Sequence, residues 1–269
     1  MTRIIIWTNQ RFSEVSIAAD TRLSAAVSPL TLNASKILGL PLHLRERYPD
    51  EHGGPPRTQH VFQSNMAFAF AGGALAATST YSYVASVFTR LVGWENERCP
   101  SGQDIGDFVA KVGTRYVRDI SVANQGSAAF EAALVMVDPQ KRHGARLPIQ
   151  IFHLTQGSSS PYEMVAKRFQ PRRGVNCLVL GEGASVAYKG LEDAYKKDSK
   201  FDPIDFLREE IQNRDQASIG GGIHHGFVDD SGLRIRPLRL LCEHGEKISA
   251  DSATRVGDYS FSSGYSGDW

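Results

Sequence analysis

Apolar positions along the chain follow two periods, one of strands and one of helices. Ile4-Ile5-Ile6-Trp7 is a continuous, largely β-branched run, which predicts a strand buried on both faces. Val15 to Ala19 is a second short run, and the polar stretch Asn9 to Glu14 between them predicts a hairpin. A third apolar piece, Ile37 to Leu40, follows Lys36. Arg45 to Gln59 is polar and carries Gly53-Gly54-Pro55-Pro56, so it reads as a long surface loop. Met66 to Ala71 alternates as a strand, and Ala74 to Leu91 sets Leu75, Tyr81, Val84, Phe88 and Leu91 along one helical face. A second helix is marked by Ile105, Phe108, Val109, Val112, Tyr116, Val117 and Ile120, with Ser101 as its cap and Asp104 in its first turn.

Strand-like runs return at Ala132 to Val137, Leu147 to His153 and Cys177 to Leu180. Two helical stretches follow, near Ala184 to Lys196 and Pro203 to Arg214, and then strands near Gly222 to Val228 and Leu233 to Leu238. Helices paired between runs of strands predict an α/β (α+β) architecture, a four-layer αββα sandwich of two antiparallel sheets between helix layers. The expected organisation is one domain over residues 2–242 with a loop insertion near 45–59. Residues 243–269 turn polar and read as a weakly ordered tail.

Composition narrows the function classes. Hydrophobic residues make up 41% and charged residues 22%, ordinary for a globular protein with a core. A net charge of +1 creates no global field favouring nucleic acid or an anionic membrane, so neither is expected as a partner. Met66 to Phe88 is apolar or small but interrupted by Gly72, Gly73 and a run of Thr, Ser and Tyr, which fits a strand entering a packed helix better than a membrane span. Ile4 to Trp7 is too short for the apolar core of a secretory signal. Cys99, Cys177 and Cys242 lie far apart, which predicts reduced thiols and a cytoplasmic location.

Candidate chemistry begins at Thr2. If Met1 is removed, this residue carries a hydroxyl nucleophile and, in its α-amine, a base whose unperturbed pKa of about 7.7–8.0 lies near working pH. Asp20, in Ala19-Asp20-Thr21-Arg22, ends an apolar strand, and Lys36 stands just before another. A buried lysine beside the hydroxyl would help deprotonate it and stabilise developing negative charge, and a carboxylate would hold that lysine. The bland alternative is a turn salt bridge between Asp20 and Arg22 with Lys36 in solvent. His224-His225 are adjacent on a strand, point to opposite faces and cannot chelate one metal together. No metal or cofactor is expected.

Taken together, Thr2, Ala19-Asp20-Thr21-Arg22 and Lys36-Ile37 resemble the pattern of the proteasome β subunits and their bacterial relatives, N-terminal-nucleophile (Ntn) hydrolases. The resemblance continues at Phe68-Ala69-Phe70-Ala71-Gly72-Gly73-Ala74, where it implies that the Gly72 N–H serves the oxyanion hole. Arg214-Asp215-Gln216-Ala217-Ser218 followed by glycines is similar to the family's Asp-Xaa-Xaa-Ser, which implies Asp215 and Ser218 near the Thr2 amine, although the glycines come one residue late. Leu180-Gly181-Glu182-Gly183 resembles the family's Gly-Ser-Gly, with Glu182 where the family has serine. There a carboxylate would either raise the amine's pKa or sit in a helix's first turn, favoured by the dipole.

What the resemblance implies is a threonine-type peptidase acting on peptides or proteins, assembled as a homo-oligomeric ring, with an unfolding ATPase as partner. Two other readings stay open: an Ntn hydrolase of small amides, and a non-catalytic ring or scaffold subunit.

Overall fold

The computed structural model of the chain describes residues 2–8, 14–25, 28–50, 52, 54–94, 98–124, 128–140, 149–170, 176–213 and 219–236, and the backbone of 255–256 and 259–260. The first strand, β1 (Ile4–Thr8), is the continuous β-branched run, and Ile4, Ile5 and Ile6 are all fully buried. It pairs with β2 (Val15–Asp20) as the expected antiparallel hairpin. A short ladder of β3 (Leu23–Ala25) and β4 (Ser28–Thr31) follows. Two long strands, β5 (Ile37–Tyr48) and β6 (Arg57–Gly72), then pair antiparallel from end to end, Ile37 opposite Ala69 and Tyr48 opposite Arg57.

The stretch 45–59, expected as a loop, forms the outer end of a β-ribbon at residues 45–48 and 57–59, and the connection spans 49–56. Its polarity misled because the β6 half from Arg57 is largely exposed and has no buried face to impose alternation. Backbone pairing carries it instead, extended by β7 (Leu91–Trp94), which lies parallel to β5 from Leu44 to Arg47. Arg47 sits over the Trp94 ring, 6.0 Å from its centroid.

Helix α1 (Ala74–Phe88) buries Ala76, Ala77, Thr80, Val84 and Phe88, whereas Leu75, expected on the inner face, is 62% exposed and Leu91 belongs to β7. Helix α2 (Gly102–Asn124) buries its predicted stripe. It starts in a capping box: the Ser101 N–H donates to Asp104 Oδ2 at 2.8 Å and the Asp104 N–H to Ser101 Oγ at 3.2 Å. Strands β8 (Phe130–Val137), β9 (Ile149–Gln156) and β10 (Met164–Arg168) complete a six-stranded sheet of order β10-β9-β8-β6-β5-β7. The chain then adds β11 (Cys177–Leu180), α3 (Ala184–Lys197), α4 (Pro203–Gln212), β12 (Ile223–Asp229) and β13 (Gly232–Ile235). These strands form a five-stranded antiparallel sheet, β11-β1-β2-β12-β13. In the C-terminal stretch β14 (Arg255–Val256) pairs with β15 (Tyr259–Ser260); the rest of the expected tail lies outside the described residues.

Alternation along the strands sorts their side chains into separate apolar clusters. Met66, Phe68, Phe70, Leu134 and Phe152 of the larger sheet pack with α1 and α2. The other face of the same strands presents Ala67, Ala69, Ala71, Ala133 and Val135 to Ile4, Ile6, Ile17 and Ala19 of the smaller sheet. Ile5, Ala18 and Val179, on the opposite face of that sheet, meet Ala187 and Leu191 of α3 and Leu207 of α4. The architecture is therefore mixed α/β, with antiparallel sheets and one parallel pairing, as the element order predicted at the level of class.

Candidate active site

Three chain segments converge at the end of β2. Asp20, its last residue, is fully buried, and Lys36, next to the start of β5, is 1% exposed. Lys36 Nζ donates to Asp20 Oδ1 at 2.8 Å, and the Arg3 backbone N–H donates to the same oxygen at 2.8 Å. The Gly220 N–H reaches the other oxygen at 3.3 Å. Burial raises the Asp20 carboxyl above its usual range and lowers the Lys36 ammonium, while their mutual attraction works against both shifts. Lys36 is held from its backbone as well: its carbonyl accepts the Phe70 N–H, and the Ile37 N–H donates to Nδ1 of buried His224 at 3.4 Å.

Thr21 ties these segments together. Its hydroxyl donates to the Leu32 carbonyl and accepts the Gly222 N–H, and its own carbonyl accepts the Ala34 N–H. Arg22 turns away from the pair, its amide donating to the Gly220 carbonyl and its Nε to Ser24 Oγ. The turn salt bridge between Asp20 and Arg22 is therefore not formed, and Lys36 holds the carboxylate in its place.

Thr2 is 7% exposed and directly precedes the Arg3 amide on Asp20. It has the same parity as Ile4 and Ile6, whose side chains face Ala69 and Ala71 on β6. Gly181, just past β11, is pressed between these parts: a Cβ there would lie 1.8 Å from the Thr2 carbonyl oxygen and 3.7 Å from Ala71 Cβ. The next residue, Gly72, ends β6 at φ +97°, a conformation that suits glycine, and leads through Gly73 into α1. The structure thus gathers Thr2, Asp20, Lys36 and the Ala71-Gly72 end of β6. Glu182 is exposed, and what it gives the site is its carbonyl, which accepts Arg3 Nη1 at 2.9 Å. Asp215 and Ser218 lie outside the described residues.

Sequence reasoning passed over several neighbours. The Arg3 guanidinium makes a buried bidentate pair with Glu210, at 2.9 and 3.1 Å. Glu131 accepts the Gly181 N–H at 3.2 Å. Glu210 had a signal: it continues the Pro203, Leu207 stripe of α4 at helical spacing, so a carboxylate stood on a buried face.

Two clefts lie elsewhere. One of about 560 Å³ is lined by His153, Lys167 and Tyr188 among others, and one of about 760 Å³ by Trp7, Tyr195 and His225 among others; Thr2, Asp20 and Lys36 line neither. Among the described residues no group of three or more His, Cys, Asp or Glu is arranged to hold a metal ion, and no helix is long and apolar enough to cross a membrane. Neither a protein-family model nor a curated protein matches the chain.

Proposed function

We propose that the chain is a threonine-type amidohydrolase of the N-terminal-nucleophile class, a peptidase acting from Thr2 once Met1 is removed. The observation that carries this reading is the fully buried Lys36–Asp20 pair, whose shared oxygen also takes the amide of the residue after Thr2. Desolvating two charges costs several kcal/mol per ion, on the order of what their attraction returns, so a structural role gives weak reason to retain them. A buried lysine with a lowered pKa, whose carboxylate partner also holds the amide after Thr2, fits the role of activating the Thr2 hydroxyl.

In this reading the Thr2 hydroxyl oxygen attacks the amide carbonyl while its proton passes to the free α-amine, directly or through water. Lys36 stabilises the forming alkoxide, and Asp20 orients Lys36. The Gly72 N–H receives the oxyanion. The C–N bond then breaks, the proton moves to the departing nitrogen, and an ester on Thr2 remains for water to hydrolyse. The same proposal includes a four-layer αββα sandwich, supported by the three apolar clusters, and a cytoplasmic homo-oligomeric ring acting on peptides or proteins with an unfolding ATPase as partner.

Intact-protein mass spectrometry with and without a peptide epoxyketone or boronate tests the reading. Loss of Met1 and an adduct on Thr2 are the expected result. Retention of Met1 with no adduct would overturn it in favour of a non-catalytic scaffold subunit.

A further inference from the structure

The residue beside the proposed nucleophile is tied down more heavily than any packing need explains. Arg3 is 4% exposed although its side chain is a guanidinium. Its Nε and Nη2 grip both oxygens of Glu210 on α4, and its Nη1 grips the Glu182 carbonyl in the turn that leads into α3. Its backbone N–H meanwhile holds Asp20, and its carbonyl accepts the Asp20 N–H at 3.1 Å. One residue therefore links β2, α4 and the Gly181–Gly183 turn, and the Thr2 carbonyl is packed against that turn.

We infer that Arg3 and Glu210 form a positioning pair that aims Thr2 and sets the charge around its amine, an inference that rests on Thr2 being the nucleophile. The peptide between Thr2 and Arg3 is held by the Arg3 N–H on Asp20 and by Gly181 against the Thr2 carbonyl, and the forked pair anchors the Arg3 side chain to α4, because bidentate pairing restricts the guanidinium in distance and in plane. The charge argument follows from position. An uncompensated cation next in sequence would disfavour the Thr2 ammonium and lower its pKa; Glu210 offsets that cation. The other charged groups on the elements packed around Thr2 and Arg3 are Asp20 on β2, paired with Lys36 before β5, and Glu131 on β8, which accepts the Gly181 N–H; the Glu182 side chain before α3 is exposed. In the pair, Glu210 is the one carboxylate that grips the guanidinium through both oxygens.

The test follows the second-order rate of Thr2 modification by a peptide epoxyketone, read by intact mass across the acidic and neutral pH range. Glu210→Gln should react at least tenfold slower than wild type at its plateau, with its acidic limb moved down by about half a pH unit. Arg3→Lys keeps the charge but loses the fork, so its plateau should fall and its limb stay in place. If single variants fail to fold, Arg3→Met/Glu210→Leu replaces the buried pair with apolar side chains, an exchange that is often neutral for stability. That double variant should also be slow. A folded double variant, or a folded Glu210→Gln, that reacts at the wild-type rate with the wild-type pH profile overturns the positioning role and leaves Thr2 as nucleophile. Wild type that takes no label on Thr2 overturns the nucleophile, and the positioning role falls with it.

Discussion

Gly181 and Thr2 are in backbone contact so close that no side chain fits between them: a Cβ on Gly181 would overlap the Thr2 carbonyl oxygen at 1.8 Å. Gly181 also holds φ at +100°, which L side chains rarely adopt. Gly181→Ala should therefore cost roughly 1–3 kcal/mol from backbone strain alone, and more from displacing Thr2. Urea unfolding should show the loss of stability. Adduct formation at Thr2 should fall further than stability does, because the displaced atom belongs to the proposed nucleophile's own residue. Equal rates in wild type and a folded variant would mean that Thr2 has freedom to shift without consequence.

Removing one partner of the Lys36–Asp20 pair strands a buried charge. Lys36→Ala should destabilise the fold by about 3–5 kcal/mol and abolish turnover and Thr2 labelling. Lys36→Met combined with Asp20→Asn removes both charges, so it should recover much of the stability and none of the activity. Chemical denaturation beside a peptide-hydrolysis assay separates the two effects. Turnover in the folded double variant would remove Lys36 from the mechanism.

Acid should loosen the protein through His224. This residue is 2% exposed, its Nδ1 accepts the Ile37 N–H, and burial pushes its pKa down to about 4 from a usual 6.5. The unfolded chain then binds a proton below pH 6.5 that the folded chain refuses until about 4. Stability is full above 6.5 and falls as pH drops to about 4, by on the order of 3 kcal/mol for this one group. His225, stacked on Trp7, is shifted in the same direction, first by burial. Urea midpoints measured across this window should decline in wild type and decline less steeply in His224→Gln, with His225 supplying part of what remains. An undiminished decline in that variant would move the acid sensitivity elsewhere.

The capping box of α2 offers a local control far from the chemistry. Ser101→Ala should cost about 1 kcal/mol and Ser101→Gly a few tenths, with peptide hydrolysis unchanged in both. A loss of activity in either would tie α2 to the site.

What the sequence discloses depends on whether a residue's neighbours are local. Residues 4–7 and the α2 stripe were legible because burial imposes a period on consecutive positions. Asp20 and Lys36 stood out as a candidate pair through their place at strand ends, and the contact between them follows from the β2 and β5 ends meeting. The outer ribbon of β5 and β6 was not legible, since a strand pair wetted on its faces needs only backbone partners and leaves no hydrophobic record. Arg3 was hidden for another reason: its partner Glu210 stands 207 positions away, and an arginine ahead of a buried strand gives no sign of what neutralises it.

The alanines of β6 and β8 define where this protein is free to vary. Ala67, Ala69, Ala71 and Ala133 are small side chains between two sheets, so drift at these positions to any residue but glycine or serine adds substantial volume. The phenylalanines on the opposite face can shrink and leave a void, a fault confined to their own cluster. An enlarged alanine has no such local remedy. It wedges one sheet from the other, and because Ala71 faces the space beside Gly181 and adjoins Gly72, the wedge opens where Thr2 sits.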